Sequence, residues 1–331
     1  MRRSLALIVL VLGLLIPTWM QRPLIPRDQR GAITFARETI SNPARLASDL
    51  GPFRLEQAWH LSSLRNGGYS ALLAPSDHGL VAISDTGWSA RFELREGQPP
   101  DYSVHKVGLR KGSRGKELRD IESATRDPAT GTVWLGMEGV NAIVRTNPKL
   151  QEQARVMPQE MRHWGTNSGP EALVRLADGR FLVLQETGIA GSGGRRHEGF
   201  VFAGDPTRGA RGARFEFEGP RNFAVVDMAQ LPDGRVLLLM RRLVWPMPLR
   251  FAGRIVIADP RQIAAGKVWT SRQVAVLASD MPIDNFEGLA VSGEARKDGR
   301  VTVWLISDNN MMNDWQRTLL WKLSVDPAEL P

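Results

Sequence analysis

Cysteine is absent from all 331 residues. That excludes disulfides, thiolate metal sites, a cysteine nucleophile and a lipid-bearing N-terminal cysteine. It does not place the chain in a reducing compartment, because a body of this size buries enough core to fold without staples. Lysine is scarce as well: of 43 basic side chains only 7 are lysine and 36 are arginine, and against 35 acids they leave a net charge of +8. No dense basic run is interleaved with aromatics, so a nucleic-acid partner is not expected. There is no Gly-x-Ser-x-Gly elbow, which removes support for a serine hydrolase of the α/β type. The five histidines, His60, His78, His105, His163 and His197, show no ligand spacing. The run from Gly191 to Arg196 lacks the Gly-Lys-Ser/Thr of a phosphate loop. Long helical periodicity is missing from Gly67 onward.

What is present begins at the N-terminus. Met1-Arg2-Arg3 precedes an apolar run from Ser4 to Ile16, the pattern of an export signal. The positive end stays inside, so the remainder is expected to cross the membrane. No small-x-small cleavage site follows Ile16. Residues 1–20 therefore read as a signal peptide or as an uncleaved anchor, short for a full span. The expected location is periplasmic or secreted, with residues 4–20 tying the body to the inner membrane if they are retained. Membrane contact is expected through that segment only. Residues 21–50, interrupted by Pro23, Pro26 and Pro43, read as a tether with room for one short strand or helix. Residues 51–331 read as the folded body, expected to be a monomer.

The body is a succession of short β-rich runs between Gly, Asp and Pro turns. Five segments share one pattern: GGYSALLAPSDHGLVAISD, DIESATRDPATGTVWLGME, GPEALVRLADGRFLVLQE, AVVDMAQLPDGRVLLLMRR and DNFEGLAVSGEARKDGRVTVWLISDNN. Aligned on the polar residue at the head, they start at Ser70, Glu122, Glu171, Asp227 and Glu287, with intervals of 52, 49, 56 and 60 residues. That is the period of a four-stranded propeller blade. Asp127-Pro128, Asp178-Gly179 and Asp233-Gly234 sit where hairpins must reverse. The fold class is all-β, a β-propeller of five blades, or of six if residues 31–50 add strands of their own. The last blade is one strand short, and Phe53 to Ser63 is an unclaimed strand. Placing that N-terminal strand in the last blade closes the ring and removes two open edges.

A second polar marker follows each head: Asp85, Glu138, Glu186, Arg241 and Asp308. Such regularity would gather the heads and markers around one mouth of the central channel. Carboxylates so close repel unless a cation or arginines answer them, and hard oxygen ligands suit Ca²⁺ or Mg²⁺. Arg145, Arg241 and Arg317 lie at or soon after second markers and could pair with the acids or hold an anion. The competing explanation is that these acids cap turns and accept backbone amides between blades.

The motifs NFEGLAV, WLISDNN and QRTLLWKL resemble the closing signature of the phytase-like family, whose members carry the "esterase-like activity of phytase" domain. GGYSALLA with VAISD, and DIESAT with MEGVNAIV, resemble its earlier blades, so the similarity spans Leu50 to Val325. Glu287, Gly288, Asp308, Asn309 and Gln316-Arg317 match the closing motif, Glu122 and Glu171 match heads, and Glu138 with Asn141 match a strand end. The chain departs from the pattern at Tyr69-Ser70-Ala71, at Asp227 in place of Glu, and at Arg241-Arg242 where an acid is common. The resemblance implies an exported propeller, Ca²⁺-dependent, hydrolysing phosphate esters. On that reading Glu287, Asp308, Glu122 and Glu171 are the catalytic candidates. Arg145, Arg241, Arg317 and Asn309 would bind a small anionic or phosphorylated ligand, and Glu138, Glu186, Asp227 and Asp85 would hold the metal. The alternative is a non-catalytic propeller that binds a ligand or an envelope protein at its mouth.

Overall fold

The computed structural model describes residues 31–110, 120–246, 249–278, 283–293 and 296–331; residues 1–20, expected to be a signal peptide or anchor, and residues 21–30 lie outside them. Among the described residues no helix is long and apolar enough to cross a membrane.

The chain begins with β1 (Thr34–Arg37), helix α1 (Pro43–Leu50) and β2 (Arg54–Ser62). The helix is capped by Asn42, whose side-chain oxygen accepts from Arg45 N, with Pro43 where its missing N–H costs nothing. Much of the stretch expected to act as a tether is therefore part of the body: Ile33, Leu46 and Leu50 are buried.

Four blades follow in order. The first is β3 (Tyr69–Leu73), β4 (Gly79–Ser84), β5 (Trp88–Glu93) and β6 (Asp101–Lys106). The second is β7 (Ile121–Arg126), β8 (Val133–Met137), β9 (Ala142–Thr146) and β10 (Glu152–Val156). The third is β11 (Pro170–Arg175), β12 (Phe181–Gly188), β13 (Arg196–Phe202) and β14 (Gly212–Glu218). The fourth is β15 (Ala224–Gln230), β16 (Val236–Pro246), β17 (Leu249–Ala258) and β19 (Arg272–Leu277), while β18 (Val268–Thr270) adds in parallel to β14. The fifth blade is β20 (Asn285–Val291), β21 (Val301–Asp308) and β22 (Thr318–Val325), completed on its outer side by β2 and then β1. The blades number five, because residues 31–50 contribute one strand to the last blade and a helix packed at its seam with the fourth, rather than a sixth blade.

Alternation explains the packing. Side chains on opposite faces of one strand enter different seams. Along β16, Leu237 and Leu239 join the core between blades four and five, while Val236, Leu238 and Met240 join the core between blades three and four. Five apolar clusters result, one at each seam. Polar staples reinforce the seams. Ser70 Oγ donates to Ile121 O, Ser123 Oγ to Pro170 O, and Ala177 N donates to Gln230 Oε1 at 2.7 Å. Leu289 N donates to Asp227 Oδ2 at 2.7 Å, and Gly68 N to Asn309 Oδ1 at 2.9 Å across the closing seam. Gly288 permits that closing seam to be tight, since a Cβ there would lie 2.9 Å from Leu72 Cβ and 2.6 Å from Ile306.

Candidate functional site: an acidic channel mouth

Every first strand carries one extra residue near its start. The register skips Ser70, Glu122, Glu171, Val226 and Glu287. A bulge of this kind re-aims a side chain out of the alternating pattern. Three of the five are glutamates, and they converge at the head end of the channel with the acids that close the second strands. Asp120, Glu122 and Glu138 bring ligand atoms within 4.8 Å of one another, as do Glu138, Glu171 and Glu186. Glu138 belongs to both trios. Gly169 lets the third blade approach it, because a Cβ there would sit 2.6 Å from Glu138 Cα.

On the other side of the mouth lies Arg241. Its Nη2 is 3.0 Å from Glu287 Oε1 and 3.3 Å from Glu186 Oε1. Asn285 Nδ2 donates to Glu287 Oε1 at 2.6 Å, and Asn310 N to Asp308 Oδ1 at 2.7 Å. Ser84 Oγ donates to Asp85 Oδ1 at 3.1 Å. Arg241 Nε is buried and has no hydrogen-bond partner among the described residues. Arg145 Nε and the indole nitrogens of Trp304 and Trp321 share that state, so it makes Arg241 Nε available to a ligand without by itself marking one.

The electrostatics follow from burial and crowding. Burial, then the charges of Glu287, Glu138, Asp120 and Asp85, push the Glu122 carboxyl well above the ordinary glutamate value of 4.5. Burial and the neighbouring Glu122, Glu186 and Glu138 do the same to Glu171. Burial raises Glu138 too, although the hydrogen bond it accepts from Glu171 pulls it down. Asp308 is pushed well up by burial and by Glu287. Glu287 is raised by burial while the Arg241 guanidinium works against that rise. Such a set stores repulsion that a cation would relieve, and all-oxygen donors of this charge fit Ca²⁺.

Of the residues expected at the mouth, Glu122, Glu171, Glu287, Asp308, Glu138, Glu186, Asp85 and Arg241 do come together. Four do not. Asp227 is one position past the bulge at Val226, so it points into the seam between blades four and five, where Met228 N and Leu289 N donate to its two oxygens. Arg145 pairs across the sheet with Trp134, away from the heads, and its Nη1 lies 3.2 Å from Asp205 Oδ2. Arg317 stands just before β22, the middle strand of blade five, where Glu38 and Asp284 hold it. Asn309 is buried in the closing seam, accepting from Gly68 N and donating to Asn313. Two neighbours of these acids went unread in the sequence. Asp120 stands two residues before Glu122, a same-face spacing, and Asn285 stands two before Glu287.

The family described as "Phytase-like: Esterase-like activity of phytase" matches residues 65–311. No curated protein matches the chain. Among solved structures, a Bacteroides thetaiotaomicron structural-genomics protein is 11% identical, with a TM-score of 0.46 over 88% of this chain and 76% of its own. A chain of the nidogen/laminin complex is 9% identical, with a TM-score of 0.41 over 87% and 96%. The WD40 β-propeller domain of Doa1 is 9% identical, with a TM-score of 0.36 over 84% and 99%.

Proposed function

The chain belongs to the phytase-like family, and from that premise we propose that it is an exported, Ca²⁺-dependent hydrolase of phosphate esters acting at the acidic mouth of the channel. The observation that carries this reading is the pairing of two unlike features in one recess. One is a crowd of carboxylates with two trios of ligand atoms inside 4.8 Å. The other is a half-buried arginine, Arg241, whose Nε is free to take an acceptor. A phosphate ester needs both, a bound cation and a fixed guanidinium.

Glu138, Glu171 and Glu186, with Asp120 and Glu122 beside them, are the residues that would hold Ca²⁺. The ion's contribution there is to neutralise phosphate charge and to acidify a coordinated water. Arg241 Nε supplies a hydrogen bond to a phosphate oxygen. Burial raises both Glu287 and Asp308, and the Arg241 guanidinium works against the rise at each. Asp308 is pushed well up, with the Glu287 charge adding to its rise. A carboxyl pushed well up suits the acid's part and one held by a guanidinium the base's. Water adds to phosphorus as Glu287 takes its proton, and the ester oxygen leaves with the proton of Asp308.

Calorimetric titration of the purified protein with Ca²⁺ and Mg²⁺, beside phosphate release from a panel of phosphomonoesters, tests the reading. Ca²⁺ binding with release that Glu287→Gln abolishes in a folded protein is the expected result. Binding without release would instead support the ligand-binding propeller. No binding and no release would sink the proposal.

A further inference from the structure

All the large apolar side chains that stand exposed among the described residues are on one face. In an antiparallel blade the chain turns alternately at the head end, where the acids are, and at the far end. Trp88 follows the turn between β4 and β5, pairing with Lys106 at the head end. Met157 follows β10, in the passage to β11. Leu243, Val244 and Trp245 extend β16 beyond Arg241, and Met311, Met312 and Trp315 lie between β21 and β22, just past Asp308. Each of the eight is at least 41% exposed. Four blades or their connections thus raise apolar groups around the same mouth.

The far end is different in kind. Its turns carry arginines matched to aspartates: Arg180 with Asp178, Arg235 with Asp233, Arg261 with Asp259 and Arg296 with Asp298. No exposed large apolar side chain is found there among the described residues.

The N-terminus leaves by the apolar face. Thr34 pairs with Ser62 at the head end of β2, and Gly31 O accepts from Asn66 Nδ2 in the loop leading into β3. Only residues 17–30 separate Gly31 from the apolar run that ends at Ile16. Fully extended, those fourteen residues reach at most about 50 Å.

We propose that the mouth face is a docking surface for an anionic phospholipid bilayer, so that the propeller lies on the membrane with its acidic channel opening toward it. Apolar patches larger than scattered single residues mark interaction sites. Tryptophan and methionine wedges enter the headgroup boundary, where an amphipathic ring is satisfied on both sides. Exposed Arg162, Arg195, Arg221, Arg242 and Arg250 surround the wedges on the same face, and each basic group near an anionic surface adds to the attraction. The choice of occupant rests on the reading of residues 4–20 as a retained anchor: a chain so tethered would be held within about 50 Å of a bilayer and would meet that surface far more often than any soluble partner.

The tryptophans supply the test. Of ten, Trp59, Trp134, Trp164, Trp269, Trp304 and Trp321 are buried, Trp88, Trp245 and Trp315 stand on this face, and Trp19 borders the apolar run. The full chain carrying Trp19→Phe is placed in vesicles of phosphatidylethanolamine and phosphatidylglycerol with brominated acyl chains. Emission is expected to fall by about a quarter relative to unbrominated vesicles, because interfacial tryptophans are in reach of the bromines. Adding Trp88→Phe, Trp245→Phe and Trp315→Phe should remove most of that quenching while leaving the melting transition in place. Exchanging phosphatidylglycerol for phosphatidylcholine should weaken it several-fold; equal quenching on both would overturn the anionic part. Absence of quenching in the Trp19→Phe chain overturns the docking surface. So does quenching that survives the three further changes, or a cross-linked dimer through Trp315 without quenching.

Discussion

Glu138 and Glu171 bring carboxyl oxygens within 4.8 Å of each other across the seam between the second and third blades, in one trio with Glu186. Burial and the charges of its neighbours, Glu138 among them, push Glu171 well up, and burial raises Glu138. Two acids this close oppose each other's ionisation in a buried place. Proton and cation are therefore competitors here.

A pH dependence follows, and its sign is determined by the direction of the shifts. Glu122, Glu171 and Asp308 are all raised in the folded chain. Their contribution to stability is therefore present in full below the unfolded carboxylate values and is lost as pH rises through the folded ones. Surface acids lowered by arginines, Asp259 and Asp298 among them, act in the opposite sense. The clean readout is thus the part of the melting temperature that depends on Ca²⁺. It should be near zero at about pH 4, where the acids hold their protons, and largest near pH 8. A calcium increment that shrinks as pH rises would contradict the cation site.

The ring is legible in the sequence wherever the polar residue and the bulge coincide, as at Ser70, Glu122, Glu171 and Glu287. Spacing alone misplaces the fourth head. There the bulge falls on Val226, and a period-two pattern does not reveal an inserted residue, although one residue of slip reverses which way a side chain points. Arg145 and Arg317 were misassigned for a related reason. Nearness along the chain to Glu138 or Asp308 says little about nearness across the sheet once the strand has turned. Arg241 needs no such inference, because it stands at the marker position itself.

Asp227 supplies a test of that slip. Both its oxygens accept backbone amides, Met228 N at 2.8 Å and Leu289 N at 2.7 Å. Asparagine has one acceptor oxygen, and its amino group would oppose one of those donors. Asp227→Asn should cost about 1–3 kcal/mol, the penalty for a buried amide left without its acceptor, while Ca²⁺ stoichiometry and affinity stay unchanged. Denaturant unfolding with and without Ca²⁺ measures both. A tenfold loss of affinity with unchanged stability would make Asp227 a ligand after all.

Arg241 and Glu287 form the charge pair of the mouth, and their side chains are 25% and 10% exposed. Removing one partner of such a pair leaves a charge stranded, which costs about 3 kcal/mol when the pair is buried and less where water reaches it. Arg241→Met should destabilise the calcium-free protein by about 2–3 kcal/mol. Adding Glu287→Gln should recover more than half of that, because the stranded carboxylate is gone. The double-mutant cycle in urea yields the coupling, and additive losses would mean that the 3.0 Å contact contributes nothing.

Glu171→Gln separates what the mouth is for from what holds the fold together. Glutamine keeps the shape and still donates to Glu138, yet it removes one potential negative charge from a crowd raised by mutual repulsion. Without Ca²⁺ and at neutral pH the variant should therefore be as stable as the parent or more so, by up to about 1 kcal/mol. Ca²⁺ should bind at least about tenfold more weakly, since a carboxylate ligand has become an amide. Phosphate release, if present, should fall with the fraction of protein that holds calcium and return at higher calcium. Sites that bind cations carry this trade-off, because groups that attract the ion repel each other in its absence. A variant that loses stability and calcium affinity together would place Glu171 among the structural staples, with Ser70 and Asp227, and take it out of the site.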